Sequence, residues 1–317
     1  MKLEVKDLHK SFDGKEVLKG VRFSVESGRA LGLLGRNGAG KTTSIRIVMD
    51  IFHADEGEVL LDGKPFSPSK NQVGYLPEER GMYPKKTVLE QMVYFAKLRG
   101  FDKKRAVENA KKWLRRLQVI EYEKRKMDTL SKGNQQKVQL AATLVCDPDI
   151  VVLDEPFSGL DPVNSQILKD VIQELIAVGK IVIFSSHQMS YVEEFCEDIA
   201  IIDHGEVVLS GSLDAIKEEY GSGRKILSAQ NASLDELQQR CEDKLSDVLV
   251  IEGRNKHSLI FRLKDGVEQW DALNRMREEG IDIDTYGCYE PSLNDIFVAC
   301  VGDENSDEDS TDEEGGE

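Results

Sequence analysis

The run GRNGAGKT at residues 35–42 constrains the fold of this chain more than any other feature. It matches the pattern GxxxxGK[ST], follows the apolar run ALGLL, and precedes a segment in which Ile45, Val48, Met49 and Phe52 recur at helical spacing. Glycines in such a loop let successive backbone N–H groups close on phosphate oxygens, and the helix N-terminus adds partial positive charge. The order strand, glycine loop, helix therefore predicts an α/β fold with a phosphate-binding loop.

Within this loop we expect nucleotide contacts along its whole length. Lys41 can reach the β- and γ-phosphates, where it would also assist catalysis, and the Thr42 hydroxyl can ligate Mg²⁺. The predicted nucleotide-binding residues of the loop are Gly35, Asn37, Gly38, Ala39, Gly40, Lys41, Thr42 and Thr43.

A second apolar run, IVVLDE at residues 150–155, ends in two carboxylates. Two acids at the end of a buried strand are costly unless a cation or a proton transfer uses them. We expect Asp154 to hold Mg²⁺ through water and Glu155 to act as the general base on the attacking water. The alternative is a surface turn after a strand.

Beyond these carboxylates, residues 149–211 alternate β-rich and helical runs, as a parallel α/β sheet does. His187 follows the strand-like run IVIFSS. A histidine at this place in a P-loop protein is predicted to sense the γ-phosphate; taken alone, it would be an ordinary loop residue.

The stretch DTLSKGNQQKVQL, residues 128–140, predicts a second helix N-terminus suited to phosphate, with Ser131 and Gly133 at its start. One loop already occupies the phosphates from one side. A second helix N-terminus is useful only if it faces a nucleotide held elsewhere. In a head-to-tail pair of chains, each chain could supply this element to the ATP of the other.

Two hairpins are predicted at Asp13-Gly14 and Asp62-Gly63, since Asp-Gly between β-like runs favours a tight turn. From Thr87 to about Met127 the pattern is helical, and Thr87 with Glu90 forms a capping box. One apolar stripe lies opposite a strongly basic face. That face is either solvated or in contact with an anionic membrane surface or a partner.

Residues 219–224, EYGSGR, resemble a linker, and beyond them the runs follow the order βαββαβ of ferredoxin-like folds. Ser233 and Glu236 form another capping box. The tail from Asp303 holds nine acidic and no basic residues, so we expect it to be disordered. The predicted parts are a nucleotide-binding domain (1–220) with a helical subdomain (about 87–135), a small α+β C-terminal domain (225–301) and an acidic tail (302–317).

Composition narrows the classes of function. No apolar run approaches the roughly 20 residues that a membrane-spanning helix needs, and no signal peptide is evident at the N-terminus. Five scattered cysteines without a CxxC pair indicate idle thiols in a reducing cytosol. A net charge of −16 disfavours non-specific binding to nucleic acid, so we expect no nucleic-acid partner.

Taken in order, these motifs resemble the ATP-binding cassette (ABC) ATPases over about residues 1–215. GRNGAGKTT is similar to the Walker A motif, LSKGNQQ to the signature motif, IVVLDEP to Walker B, SGLDP to the D-loop, and SSH to the switch histidine. The resemblance implies a parallel-sheet core with an antiparallel β subdomain and a helical subdomain. It also implies that Ser131 and Gly133 contact ATP across a dimer, that Asp161 links the two sites, and that Phe12 stacks on adenine.

Two positions depart from the family pattern. Glu78 stands where the Q-loop carries glutamine, and a carboxylate can also ligate Mg²⁺, so Glu78 joins Thr42 and Asp154 as a predicted metal ligand. In the signature, Lys132 replaces glycine and Asn134 replaces glutamine. Lys132 could add positive charge near the opposing ATP or point to solvent.

The segments GYLPEERGMYP and LSKGNQQK, with PSLNDIFV near the C-terminus, are most similar to those of ATPases of ABC-2-type exporters of the sodium-extrusion and multidrug kinds. This resemblance implies ATP and Mg²⁺ as cofactors, a separate integral-membrane permease, a homodimer or heterodimer of ATPase subunits, and a cytoplasmic location on the inner face of the membrane. The alternatives are a soluble ABC ATPase that acts on nucleic acid or ribosomes, and a regulatory module that binds ATP without hydrolysis.

Overall fold

A computed structural model describes residues 1–79 and 81–302 of the chain. The chain divides into two compact units. Among the described residues, the first comprises Met1–Leu213 and Cys300–Gly302, and the second comprises Asp214–Ala299. Of the predicted acidic tail (302–317), residues 303–317 lie outside the described residues.

Among the described residues, the first unit contains ten strands, six α-helices and two short 3-10 helices at Ile120–Tyr122 and Met127–Thr129. The strands are β1 (Lys2–Phe12), β2 (Lys15–Glu26), β3 (Ala30–Leu34), β4 (Glu56–Leu61), β5 (Lys64–Pro65), β6 (Val73–Leu76), β7 (Ile150–Asp154), β8 (Ile181–Ser186), β9 (Asp198–Asp203) and β10 (Glu206–Ser212). The helices are α1 (Lys41–Val48), α2 (Val88–Leu98), α3 (Lys103–Arg116), α4 (Lys132–Leu144), α5 (Pro162–Ala177) and α6 (Met189–Phe195).

The central sheet has the strand order β10-β9-β3-β8-β7-β6. From β6 to β9 all neighbouring strands are parallel, and only the edge strand β10 is antiparallel to its neighbour β9. All residues of β3, β7 and β8 are buried, as expected for strands covered on both faces. The predicted parallel α/β core is confirmed.

A second, antiparallel sheet has the order β2-β1-β4-β5. Both predicted hairpins occur here, because Asp13 and Asp62 adopt positive φ angles ahead of their glycines. Buried side chains of this sheet, of α1 and of the central sheet form one continuous core. The predicted buried face of the first helix is only partly right: α1 ends at Val48, so Met49 and Phe52 pack against the core from the segment after the helix.

The helical region differs from the single pattern predicted over residues 87–127. It forms two helices, α2 and α3, because residues 99–102 make a turn and the Asp102 side chain caps the start of α3. The capping box of Thr87 and Glu90 is present. The stripe of α3 is buried as predicted except at Val107, which is half-buried.

The second unit contains four strands and four helices. They are α7 (Leu213–Gly221, whose first residue is assigned to the first unit), β11 (Arg224–Ala229), α8 (Leu234–Lys244), β12 (Leu249–Arg254), β13 (Leu259–Leu263), α9 (Gln269–Glu278), β14 (Ile283–Cys288) and α10 (Leu293–Val301, whose last two residues are assigned to the first unit). The predicted linker at residues 219–224 is wrong in its first half, because α7 continues through Gly221.

From β11 to β14 the element order is βαββαβ, and the sheet order is β12-β13-β11-β14 with all neighbours antiparallel. This is the topology of ferredoxin-like folds, as predicted. Leu227, Leu259 and Phe261 from the sheet pack against Leu237 and Met276 from α8 and α9. The capping box of Ser233 and Glu236 starts α8.

No helix in residues 1–79 and 81–302 is both long enough and apolar enough to span a membrane.

The core of the second unit leads to a stability prediction. Phe261→Ala should destabilise this unit by about 3–5 kcal/mol, because it leaves a cavity among fully buried side chains. Hydrogen–deuterium exchange at the amides of β11 and β13 measures the opening free energy. The matched control is Trp270→Ala, since this aromatic side chain is 74% exposed and should change the free energy by only about 0.5 kcal/mol or less. Equal effects of the two substitutions would contradict the assigned core.

Candidate nucleotide-binding and catalytic site

The predicted catalytic residues come together because their strands are neighbours. β3, β8 and β7 are adjacent and parallel, so the segments that follow them lie at one edge of the sheet. The glycine loop follows β3, Asp154 ends β7, and His187 follows β8. Ligands of open α/β sheets bind at this carboxyl edge.

Two glycines explain the shape of the loop. Gly35 has φ 155°, and a Cβ built on it would lie 2.3 Å from the Ile202 carbonyl oxygen. Gly40, which precedes α1, has φ 115°, and a Cβ there would lie 2.6 Å from a methyl group of Leu18. Both positions therefore require glycine. The tip at Asn37 and Gly38 is exposed, and Thr42 and Thr43 are half-buried.

Lys41 is buried, with 7% of its surface exposed. Its amine donates hydrogen bonds to the carbonyl oxygens of Gly35 (2.7 Å) and Arg36 (3.1 Å). Burial lowers the pKa of the Lys41 ammonium, and nearby carboxylates act in the opposite direction. These carboxylates belong to Glu155, Asp154 and Glu78. The loop thus holds a positive charge that faces the carboxylates of its neighbouring segments.

Asp154 is 1% exposed, and one of its two carboxylate oxygens has a hydrogen-bond partner. The Ser185 hydroxyl donates to Asp154 Oδ1 at 2.5 Å, whereas Oδ2 is buried without a hydrogen-bond partner. A buried carboxylate oxygen without a partner is costly. This oxygen is the type of ligand that Mg²⁺ prefers, directly or through water, so the residues present fit a magnesium ion.

Glu155 adopts a left-handed backbone conformation, with φ 48°. Its backbone N–H is held by Ser185, which accepts through its hydroxyl (3.1 Å) and its carbonyl oxygen (3.2 Å). Such a conformation is unusual for a residue with a side chain and persists where surrounding contacts impose it. Glu155 Oε2 lies 2.9 Å from His187 Nδ1, and the histidine side chain is 53% exposed. The predicted base and the predicted sensor are therefore in direct contact.

The second predicted phosphate-facing element is a helix start. Ser131 caps α4, with its hydroxyl accepting from the backbone N–H of Asn134. A Cβ built on Gly133 would lie 2.9 Å from Asn164 Nδ2. Asn164 in turn donates from its side chain (2.5 Å) and its backbone N–H (2.9 Å) to the carboxylate of Asp161. The backbone hydrogen bond lowers the pKa of Asp161. The N-terminus of α4 thus contacts the segment from Asp161 to Asn164 of the same chain.

Phe12 and Glu78 occupy accessible positions. Phe12 is 37% exposed at the end of β1, and its ring meets that of Phe52 edge-on at 5.3 Å. It lies outside the buried core, so Phe12 is not a core phenylalanine. Glu78 is exposed in the segment after β6, close enough to influence Lys41 electrostatically. Adenine stacking by Phe12 and metal binding by Glu78 stay predictions, as does the orientation of Lys132, which is exposed.

Two supporting residues were missed from the sequence. Ser185 links Asp154 to the backbone of Glu155, and Gln139 of α4 donates to the Glu79 carbonyl oxygen at 3.3 Å. The run SSH carried a signal for Ser185, because this serine lies two residues before His187 at the end of a strand, and side chains two residues apart in a strand point to the same side. Nothing in the sequence marked Gln139, whose contact depends on how α4 packs near the end of β6.

A phosphate-binding loop with a buried lysine after β3, and two consecutive carboxylates at the end of the parallel strand β7, define a P-loop ATPase site. Residues 18–158 match the family described as ABC transporter, and residues 211–301 match the C-terminal domain of the DrrA1-3-like ATP-binding proteins.

Similar proteins extend this match over nearly the whole chain. The chain is 36% identical over 306 residues to the uncharacterized ABC transporter ATP-binding protein YhaQ of Bacillus subtilis, which covers 95% of the chain and 98% of YhaQ. It is 32% identical to the Nod factor export ATP-binding protein I of Burkholderia lata, over 68% of the chain and 72% of that protein. A solved ATP-binding subunit of an ABC transporter superposes with TM-score 0.65 at 29% identity, over 76% of this chain and all of that one.

The chain therefore belongs to the ATP-binding proteins of ABC transporters. It is an ATP-binding subunit whose ATP hydrolysis is coupled to transport, and its relatives include exporter-type proteins. The predicted family and enzyme class are confirmed, and the alternatives of a nucleic-acid-directed ATPase or a non-hydrolysing module are not supported.

The contacts of Ser185 lead to a prediction about activity. Ser185→Ala should lower ATPase activity by about 10- to 100-fold, because the Ser185 hydroxyl donates to Asp154 and would orient this proposed metal-binding carboxylate. Part of the loss should be recovered by raising the Mg²⁺ concentration in a steady-state assay. Ser165→Ala is the matched control: this serine is also buried, but its hydroxyl lies against Tyr191 rather than a carboxylate. Equal activity of the two variants would contradict the role of Ser185.

Proposed function

We propose that this protein hydrolyses MgATP within a head-to-tail dimer of ATPase subunits and thereby drives export through a separate membrane permease. The observation that carries this proposal is the arrangement of Asp154, Glu155 and His187 opposite the buried amine of Lys41. These are the groups that phosphoryl transfer to water requires: a cation on the phosphates, a metal-binding carboxylate and a base.

A bound magnesium ion would supply positive charge that offsets the charge of the phosphates. The residues that would hold it are Asp154, with its unpartnered buried oxygen, and Thr42, at the start of α1. Glu78 is the third proposed ligand, and its carboxylate is chemically suited to this role.

Hydrolysis needs a base beside the γ-phosphate. Glu155 would accept a proton as the water oxygen bonds to the γ-phosphorus, while the bond from that phosphorus to the β–γ bridging oxygen breaks. Lys41 would stabilise the charge on the phosphates, and we assign His187 to sensing the γ-phosphate. The 2.9 Å contact between His187 and Glu155 would let the histidine orient the base and register whether phosphate is present.

Completion of each site would come from a second chain. The N-terminus of α4, with Ser131 and Gly133, would face the ATP bound by the partner, because backbone N–H groups at a helix start suit phosphate. Asp161 would link the two sites, since it is connected to Gly133 through Asn164 and lies six residues after Glu155. The partner would be a second copy of this chain or a related ATPase subunit.

Coupling to transport would follow from closure and reopening of the dimer. ATP would favour the closed form, and its hydrolysis would shift the population back to the open form. A permease bound to both subunits would follow this change. Export is proposed because a similar protein is named for Nod factor export. In this role the chain would lie on the cytoplasmic face of the membrane.

Complementation between two inactive variants tests the shared site. Lys41→Ala removes the phosphate-binding amine, and Ser131→Arg blocks the signature, so each variant alone should lack ATPase activity. If the sites are shared between chains, a mixed dimer of the two variants retains one intact site, and mixing should restore activity to a substantial fraction of the wild-type value. If each chain formed its own complete site, both sites of the mixed dimer would be defective and mixing would restore nothing.

A further inference from the structure

Positive and negative charges are unevenly distributed along this chain. Residues 85–132 hold fifteen lysines and arginines and six aspartates and glutamates, whereas the whole chain has a net charge of −16. Seven of these basic residues lie on α3, which carries a single acid, Glu108. A basic region of this density on an otherwise acidic protein favours an anionic partner.

Part of the basic charge is neutralised within the protein. Lys111 lies 3.2 Å from a carboxylate oxygen of Glu123, and Arg116 forms a two-pronged contact with Glu174. The Arg105 guanidinium stacks over the Phe101 ring at 3.9 Å. These three side chains therefore have structural partners on the protein itself.

The remaining basic side chains of α3 face solvent. Lys103, Lys104, Lys112 and Arg115 are exposed, and within the described part of the chain no carboxylate forms a salt bridge with any of them. Ala110, Trp113 and other buried residues fill the opposite side of the helix, so the basic side is its outward side. We call these four residues the α3 basic face.

An exposed apolar group adjoins this face. Leu98 is 66% exposed at the end of α2 and lies between Lys97 and Arg99, which are also exposed. Only a short turn separates it from Lys103 at the start of α3. An apolar side chain set among lysines and arginines is the composition that binds the interface of anionic lipid bilayers.

We propose that the α3 basic face and Leu98 bind the anionic phospholipid headgroups of the membrane directly. The charge complementarity favours lipid because Lys104, Lys112 and Arg115 lie on one side of α3 over about three turns, as a charged plane would require, with Lys103 and the apolar group at one end of this row. This inference goes beyond the proposed function, since it needs neither ATP hydrolysis nor the permease.

The test is flotation of the full-length chain with vesicles at low salt. The chain should float with vesicles of phosphatidylcholine and phosphatidylglycerol and not with phosphatidylcholine alone, and raising the salt concentration should release it. The combined substitutions Lys103→Gln, Lys104→Gln, Lys112→Gln and Arg115→Gln should reduce binding at least tenfold, because each basic residue near an anionic surface contributes roughly fivefold. Leu98→Ser should also weaken binding without a change in charge.

A matched control removes the same charge elsewhere. Lys6, Lys19, Lys64 and Lys70 are exposed in the first unit outside the helical region, and their combined change to glutamine should leave flotation unchanged. ATPase activity should be equal in both fourfold variants, which shows that they are folded. The proposal is overturned if the wild-type chain does not prefer phosphatidylglycerol, or if both fourfold variants bind equally. Retention by an acidic protein or by RNA in place of vesicles would assign the face to that partner.

Discussion

The buried amine of Lys41 is the interaction on which the rest of the site depends. A lysine with 7% exposure is tolerated because loop carbonyl oxygens accept its hydrogen bonds and carboxylates of the neighbouring segments face it. Those carboxylates are brought there by strand order: β8 lies between β3 and β7 and is parallel to both, so the segments that follow all three strands meet at one edge. The parallel sheet thus brings groups of opposite charge together. Bound MgATP would add the charges of its phosphates and its metal ion to this site.

The same physical chemistry recurs at the start of α4. Here, as at the start of α1, backbone N–H groups at a helix N-terminus are available to phosphate, yet the two helix starts belong to different parts of the chain. Contact between Gly133 and Asn164 ties the signature helix to Asp161, and Asp161 follows Glu155 on the same loop. Binding of the partner's nucleotide at the N-terminus of α4 would therefore affect Glu155 of the same chain. This connection would let the two shared sites act together.

Much of this arrangement could be predicted from the sequence because its signals are local. Asp-Gly turns, capping boxes and the glycine loop specify backbone conformation within a few residues, and the βαββαβ order of the second unit followed from short alternating runs. The interruption between α2 and α3 and the extension of α7 through Gly221 were missed, because a capping aspartate and a glycine-containing helix end do not stand out from their surroundings. Ser185 and Gln139 act through contacts distant in sequence, which only the packed sheet and helices bring about.

The central claim is that Glu155, held in a left-handed conformation between Ser185 and His187, is the base that activates water. Single-turnover hydrolysis of bound ATP by Glu155→Gln measures this step without product release. The amide keeps the shape and hydrogen bonds of the side chain but cannot accept the proton, so ATP should still bind while hydrolysis slows by about 100-fold or more. Glu58→Gln, at an exposed position of β4, is the control and should hydrolyse ATP like the wild type. An unchanged single-turnover rate in Glu155→Gln would contradict the account.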